Sequence, residues 1–293
     1  MRRKMLGSFL SIVVLTSCVS QKTQSTKTQE IRTKKPTESR SEQIQFRRYP
    51  KETLEGVAAE KDLLRIGFEI LPIDKDTIFL YGDLRTAAAS IGTFILRSDD
   101  AGRSWTESMN PVEGSTVDGI VFSGRESGWA LVMWTIEGPG DVSLYRSRDS
   151  GKSWKKVSDI PKRHHWGWPN GFTFSDDSNG TVEMFYGDAA GPEIEGLWLL
   201  KTADGGRTWR GTRKLSGAEY EKQRLKSSEA KALSPDIFSA HDGSQWKVEE
   251  EGELIHILRR LPADQSWKVI CTTPAYFEVS DGKLVGHYKK TKQ

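Results

Sequence analysis

Two cysteines, Cys18 and Cys271, are all that the 293 residues contain. Histidine is nearly as scarce, with five residues and no H-x-x-x-H spacing. Zinc centres need clustered Cys or His ligands, so no metal and no other cofactor is expected. No apolar run approaches the roughly 20 residues of a membrane-spanning helix; the stretch from Leu6 to Leu15 is too short. There is also no strong basic excess. The whole chain carries 43 Lys and Arg against 40 Asp and Glu, and from Phe46 onward 34 basic residues face 37 acidic ones. A mildly acidic domain lacks the basic footprint on which nucleic-acid recognition rests, so no nucleic acid is expected as a partner.

What the chain does have is repetition. SDDAGRSW (98–105), SRDSGKSW (147–154) and TADGGRTW (202–209) share the pattern Ser/Thr-x-Asp-x-Gly-x-Ser/Thr-Trp. With five positions specified, a random match occurs on the order of once per million windows, so three matches are not accidental. Asp100, Asp149 and Asp204 are placed to accept backbone N–H groups in an Asx-type turn. Ser98, Ser147 and Thr202 can cap the same loop. Gly102, Gly151 and Gly206 stand where the chain needs positive φ, and Trp105, Trp154 and Trp209 open the next strand with a side chain that needs a core. The octapeptide reads as a clasp on a hairpin.

The three tryptophans are 49 and 55 residues apart, a period suited to one four-stranded propeller blade. Short β-branched and aromatic runs flank each box: RIGFEILP, TIFLYGDL and GTFILRSD before the first, DGIVFSG, GWALVMW and VSLYRSR before the second, NGFTFSD, GTVEMFYG and GLWLLKT before the third. A fourth unit follows in SPDIFSAHDG, SQWKVEEEG, ELIHILRRLP and SWKVICTT, where Pro262 takes the Asp position and Asp264 the Gly position. The expected fold is all-β, a β-propeller of four-stranded blades. YFEVSD and KLVGHYKK supply two more strands, and QIQFRRYP is expected to complete a fifth blade with them. A four-bladed ring and an unclosed set that pairs with another chain are the alternatives.

The pattern resembles the Asp-box, or BNR, repeat of sialidase-like propellers and of photosystem II assembly-factor propellers. The GWAL at Gly128–Leu131 ahead of a box is similar to the second group. The resemblance covers roughly residues 56 to 270. It implies a propeller in which the boxes are peripheral and structural, and it brings no catalytic residue with it.

The N-terminus follows a second pattern. Arg2, Arg3 and Lys4 precede the short apolar stretch, and Leu15-Thr16-Ser17-Cys18 reads as a bacterial lipobox. Residues 1–17 are therefore expected to be a lipoprotein signal peptide, with lipid on Cys18 holding the protein to a membrane of the bacterial cell envelope, facing periplasm or exterior. Residues 18–45, rich in Gln, Thr, Ser and Lys, form the lipidated Cys and a disordered tether, and 46–293 form the propeller domain. Cys271 then has no partner in the chain and reads as a small buried strand residue.

Strand order places the boxes and the SGRESG, SDDSNG and SDGK turns on one rim, with longer loops opposite. Tyr81-Gly82-Asp83 recurs there as Tyr186-Gly187-Asp188, and the loop from Arg163 to Gly171 holds His164, His165, Trp166 and Trp168. These histidines and tryptophans, with Tyr81, Asp83, Tyr186 and Asp188, are the candidate binding residues, since aromatic anchors dominate binding energy. The tryptophans packing between blades is the plainer reading. No catalytic residue is assigned. The expected function is a non-catalytic binding or assembly module for a protein or glycan. The alternatives are a periplasmic immunity lipoprotein, or a glycoside hydrolase of sialidase-like type. For the hydrolase, Phe46-Arg47-Arg48-Tyr49-Pro50 is an imperfect match to the F/Y-R-I-P motif, and Asp83 with Asp188 are possible carboxylates.

Overall fold

In a computed structural model, the described residues are 44–136, 141–162, 166–187, 194–214, 219 and 237–288. They fall in one compact unit, 40–293. The runs of β-branched and aromatic residues between Gly and Asp turns form antiparallel strands as expected. The first unit is β1 (Leu64–Pro72), β2 (Ile78–Arg85), β3 (Ser90–Ser98) and β4 (Thr106–Glu107); the second is β5 (Ser115–Ser123), β6 (Ser127–Trp134), β7 (Val142–Ser147) and β8 (Lys155–Asp159). The third is β9 (Trp166–Phe174), β10 (Gly180–Gly187), β11 (Ile194–Thr202) and β12 (Arg210–Lys214). The fourth, without a clasp, is β13 (Ile237–Ser239), β14 (Gln245–Glu251), β15 (Leu254–Arg260) and β16 (Lys268–Pro274). In each unit the strands pair in chain order. This is an all-β propeller architecture of four-stranded blades.

The three octapeptides fold identically. The hydroxyl of Ser98, Ser147 or Thr202 accepts the N–H of Gly102, Gly151 or Gly206 at 2.7, 2.8 and 2.9 Å and donates to Asp100, Asp149 or Asp204 at 2.8, 2.7 and 2.8 Å. The same carboxylate then accepts the backbone N–H and the hydroxyl of Ser104, Ser153 or Thr208. Hydrogen bonds from Thr208 hold the Asp204 carboxyl below the usual range. Burial works to raise Asp149, but bonds from Ser153 and Ser147 prevail and lower it.

Two further features turn the clasp into packing. The residue before each glycine, Ala101, Ser150 or Gly205, has positive φ and donates its N–H to Asp76, Glu126 or Ser178, in the turn between the first two strands of the same blade. The glycines themselves have φ of 85°, 79° and 91°, and a Cβ on them would meet Ile270, Phe79 and Leu144 of the preceding blade. Each box thus rests on its neighbour. Trp154 Nε1 donates to Ser108 Oγ and Trp209 Nε1 to Ser158 Oγ, both at 3.2 Å, while Trp105 packs in the cluster that holds Ile270 and Cys271. Shared cores join blades four and one, one and two, and two and three. Cys271 is buried there, and burial pushes its thiol up to about 11.

The chain ends depart from expectation. The described part of QIQFRRYP, residues 44–50, makes no strand. Ile44, Phe46 and Tyr49 do alternate inward and are buried, but the backbone N–H groups of Arg47 and Arg48 bond the Glu107 carboxylate instead of another strand. Ile44 is thus already packed into the core, two residues before Phe46. Pro50 then caps a helix, α1 (Lys51–Glu60), whose Leu54 and Val57 face the core and which ends at Lys61 in the left-handed conformation. The last two strands, β17 (Tyr276–Ser280) and β18 (Lys283–Gly286), form a hairpin that extends the first blade's sheet to six strands through Leu64↔Phe277 and Arg65↔Tyr276, so the described residues form four sheets. Because β17 runs antiparallel to β1, the SDGK turn lies away from the clasp rim, not on it. Residues 1–43, including Cys18, lie outside the described residues, among which no helix is long and apolar enough to cross a membrane.

Ser147 is fully buried and its Oγ is the acceptor for a buried N–H. Ser147→Ala is expected to cost about 1–3 kcal/mol in urea unfolding, the usual penalty for an orphaned buried donor. Asp149→Ala should cost less, because its bonds to Ser153 face solvent.

Candidate functional site

Tyr81, Gly82 and Asp83 lie on β2, paired with Glu69, Phe68 and Gly67 of β1. Glycine is required in the middle: at φ 155° a Cβ on residue 82 would lie 2.0 Å from the Gly67 carbonyl oxygen. Gly67 in turn leaves room for the Arg85 guanidinium, which reaches across it to Asp83. Asp83 is fully buried. It accepts Arg85 Nε at 3.1 Å, Thr116 Oγ1 at 3.1 Å and the Ser90 hydroxyl, so one carboxylate ties β2, the start of β3 and β5 together. Beside it, Tyr49 donates to the carbonyls of Gly92 and Thr93. The Asp83 carboxylate is a joint between the first two blades, with no oxygen turned to solvent.

Tyr81 is also inside, 6% exposed, and donates to Glu69 Oε2 at 2.9 Å. Tyr186 is 2% exposed and donates to the Pro161 carbonyl at 2.6 Å. These tyrosines and Asp83 were expected at an open mouth; the structure places them in the scaffold beneath it. Trp168 is half-buried on β9, its ring 5.0 Å from that of Phe185. Trp166 begins β9 opposite Gly187, and its side chain is outside the described residues, as are His164, His165 and Asp188. Arg47 and Arg48 reach Gln45 and Asn110 respectively.

One residue that the sequence reading passed over stands out. Between Val117 and Gly119, β5 carries a bulge opposite β6, and Asp118 is the extra residue. A bulge re-aims its side chain. Asp118 reaches solvent, yet enough protein surrounds it that burial, with the nearby Glu69 carboxylate, raises its pKa to about 6. The same two carboxylates act on Tyr81, whose phenol is pushed well up by burial, then by Glu69 and Asp118. The result is a cluster on β1, β2 and β5, with exposed carboxyls at Asp118 and Glu69 and the protonated phenol of Tyr81 buried behind them. It presents acceptors and suits hydrogen-bond donors. Gly119 was the available signal, since an isolated glycine inside a strand pattern marks a bulge or a close approach. Among the described residues no group of acidic, His or Cys side chains could hold a metal ion.

No known family profile and no curated protein matches the chain. Solved structures with partial likeness include YCF48 bound to a D1 peptide, at 16% identity and a TM-score of 0.33 over 71% of this chain and 53% of that one. Others are a PL25 ulvan lyase, at 11% and 0.36 over 70% and 55%, and the NanB sialidase of Streptococcus pneumoniae, at 14% and 0.33 over 67% and 27%. The chain thus spans about half or less of the length of these structures. At such scores the likenesses carry neither fold nor activity, and the fold rests on the sheet topology above.

Asp118 is costly when charged. Its folded pKa lies above the 3.8 of a free carboxyl, so its destabilisation is absent below that value, develops as pH rises and is complete above about 6. Asp118→Asn should therefore raise the melting temperature at pH 7.5 and leave it unchanged near pH 3.5, as followed by circular dichroism across pH.

Proposed function

We propose that this protein is a lipid-anchored, extracytoplasmic propeller that binds a protein or glycan without transforming it. The observation that carries the reading is the pair of neighbouring exposed carboxyls at Asp118 and Glu69. Glu69 and Asp118 offer acceptors to the hydroxyls of a sugar or the amide and amine groups of a protein. The anchoring half of the proposal rests on the lipobox around Cys18.

A tyrosine bonded to a glutamate beside a carboxyl of pKa about 6 also makes up part of a glycoside hydrolase site. The electrostatics speak against using it so. A nucleophilic phenol needs its pKa lowered, whereas Tyr81 is buried between two carboxylates that raise it. Among the described residues Arg47 and Arg48 are engaged with Gln45 and Asn110, and Arg85 is held by the buried Asp83. Among the described residues no cationic cluster faces Tyr81, Glu69 and Asp118 that would favour a phenolate or grip an acidic sugar.

The test is a glycan array run beside an affinity pull-down with the full-length chain. A ligand is expected that survives unchanged after incubation and is bound at least tenfold more weakly by Asp118→Ala. Trp166→Ala and Asp188→Ala are expected to weaken the same ligand, the aromatic truncation by about 2 kcal/mol or more if it is a central anchor. Hydrolysis or elimination of a bound glycan, lost in Tyr81→Phe, would replace the proposal with an enzyme. For the anchor, Cys18→Ser is expected to abolish palmitate labelling and move the protein from the membrane to the soluble fraction. An unlabelled parent protein that fractionates identically would contradict it.

A further inference from the structure

The clasp rim carries two notches built from equivalent positions of successive boxes, and only one of them is strongly charged. The first lies between the boxes of blades one and two. Its charged lining is Arg97, Asp99, Asp100 and Lys152, two cations against two carboxylates. The second, between the boxes of blades two and three, encloses about 560 Å³. There Arg146 replaces Arg97, Arg148 replaces Asp99, Lys155 replaces Thr106 and Arg207 replaces Lys152, with Lys156 added. Five cations face one carboxylate, Asp149. That carboxylate is already occupied by Ser147 and Ser153.

The scaffold explains some of these charges and leaves others unused. Arg146 is about nine-tenths buried, its guanidinium 4.8 Å from the centre of the Trp129 ring and its Nη2 2.9 Å from Asp177. Gly205 makes room for it, since a Cβ there would meet Arg146 Nη1. Its Nε has no hydrogen-bond partner among the described residues. Burial lowers its pKa against the pull of Asp177, and Arg148 and Arg207 press in the same direction. Lys156 is paired with Asp159 at 2.7 Å. Arg148 and Lys155 are exposed and have neither an ion pair nor a side-chain hydrogen bond among the described residues. Like charges gathered in a recess repel one another, and the first notch shows that the clasp does not require them.

We propose that the notch between the second and third boxes binds a phosphate or sulfate ester carried on a polyol. Guanidinium groups match the geometry of tetrahedral oxyanions, which they can grip with two parallel N–H bonds, and ammonium groups add point charge. The volume is that of a small-molecule site and exceeds what a bare oxyanion fills, leaving space for a sugar-sized or glycerol-sized carrier against Val157 and the aliphatic stems of the lysines. Soluble sugar esters and glycerophosphate headgroups share this chemistry. The site lies between the boxes of the second and third blades, apart from Asp118 on β5 and Glu69 on β1, and does not depend on the proposed function.

The full-length chain is titrated calorimetrically with glucose 6-phosphate, with a heparin-derived disaccharide, and with phosphatidylglycerol vesicles in the presence and absence of those soluble esters. One soluble ester per chain is expected to bind, more weakly as salt rises. Arg148→Asp with Lys155→Thr copies the first notch. It leaves Arg146 and its ring stack in place, and it should weaken binding at least tenfold at unchanged melting temperature. Arg125→Asp, a comparable charge reversal on the same rim but outside the notch, should bind as the parent does. The converse pair, Asp99→Arg with Thr106→Lys, should raise the stoichiometry from one to two. If vesicle binding is displaced by the soluble esters, the headgroup is one source of the ligand; displacement failure with no binding of soluble esters overturns the proposal. So does equal binding by the parent and the Arg148/Lys155 variant, or equal weakening by Arg125→Asp.

Discussion

The hydroxyl of Ser98, Ser147 and Thr202 is the atom on which each clasped blade depends. It sits between a glycine N–H and an aspartate oxygen, and both bonds form inside the fold. With the turn so fixed, the next residue can adopt positive φ and bond the neighbouring turn, the glycine can lie flat on the preceding blade, and the tryptophan can reach that blade's last strand. Local hydrogen bonding and blade-to-blade packing are thus one arrangement. The fourth blade shows what remains when it is lost: the β15–β16 hairpin persists on strand pairing and on bonds of Asp264 with Leu261 and Lys268.

A repeated scaffold makes departures from repetition informative. The two notches share the pattern residues of the clasp and differ at its variable positions, so a change from balanced to strongly positive lining is not a requirement of folding. The bulge at Asp118 is a departure of another kind. It interrupts the pairing of β5 with β6 and leaves a carboxyl beside Glu69 at a cost in electrostatic energy. Costs of this sort collect at functional sites more often than elsewhere. The two features lie on different parts of the propeller and favour opposite ligands, hydrogen-bond donors at Asp118 and Glu69 and an oxyanion in the notch.

Much of this was legible in the chain because the box is local: its donors and acceptors are two and four residues apart, and its tryptophan spacing sets the blade. The long-range partners were not. The segment from Ile44 to Tyr49 alternates like a strand, but its N–H groups bond a side chain some 60 residues away, and no local pattern announces that. Pro50 followed by Leu54 and Val57 did hold the signature of α1, in a region to which the strand pattern assigned nothing beyond Pro50. Tyr-Gly-Asp had the composition of a binding turn, yet Gly82 answers to the Gly67 backbone and Asp83 to Arg85, Ser90 and Thr116. Asp118 could have been found from the glycine beside it.

The central claim is that the buried hydroxyl–glycine bond of each box is part of the cooperative core and not a surface turn. Native-state hydrogen exchange of the Gly102, Gly151 and Gly206 amides tests it most directly. The account predicts protection factors at all three that approach the global unfolding free energy and fall together with it in low denaturant. Exchange at any of them as fast as at an exposed loop amide, with β2 and β6 still protected, would contradict it.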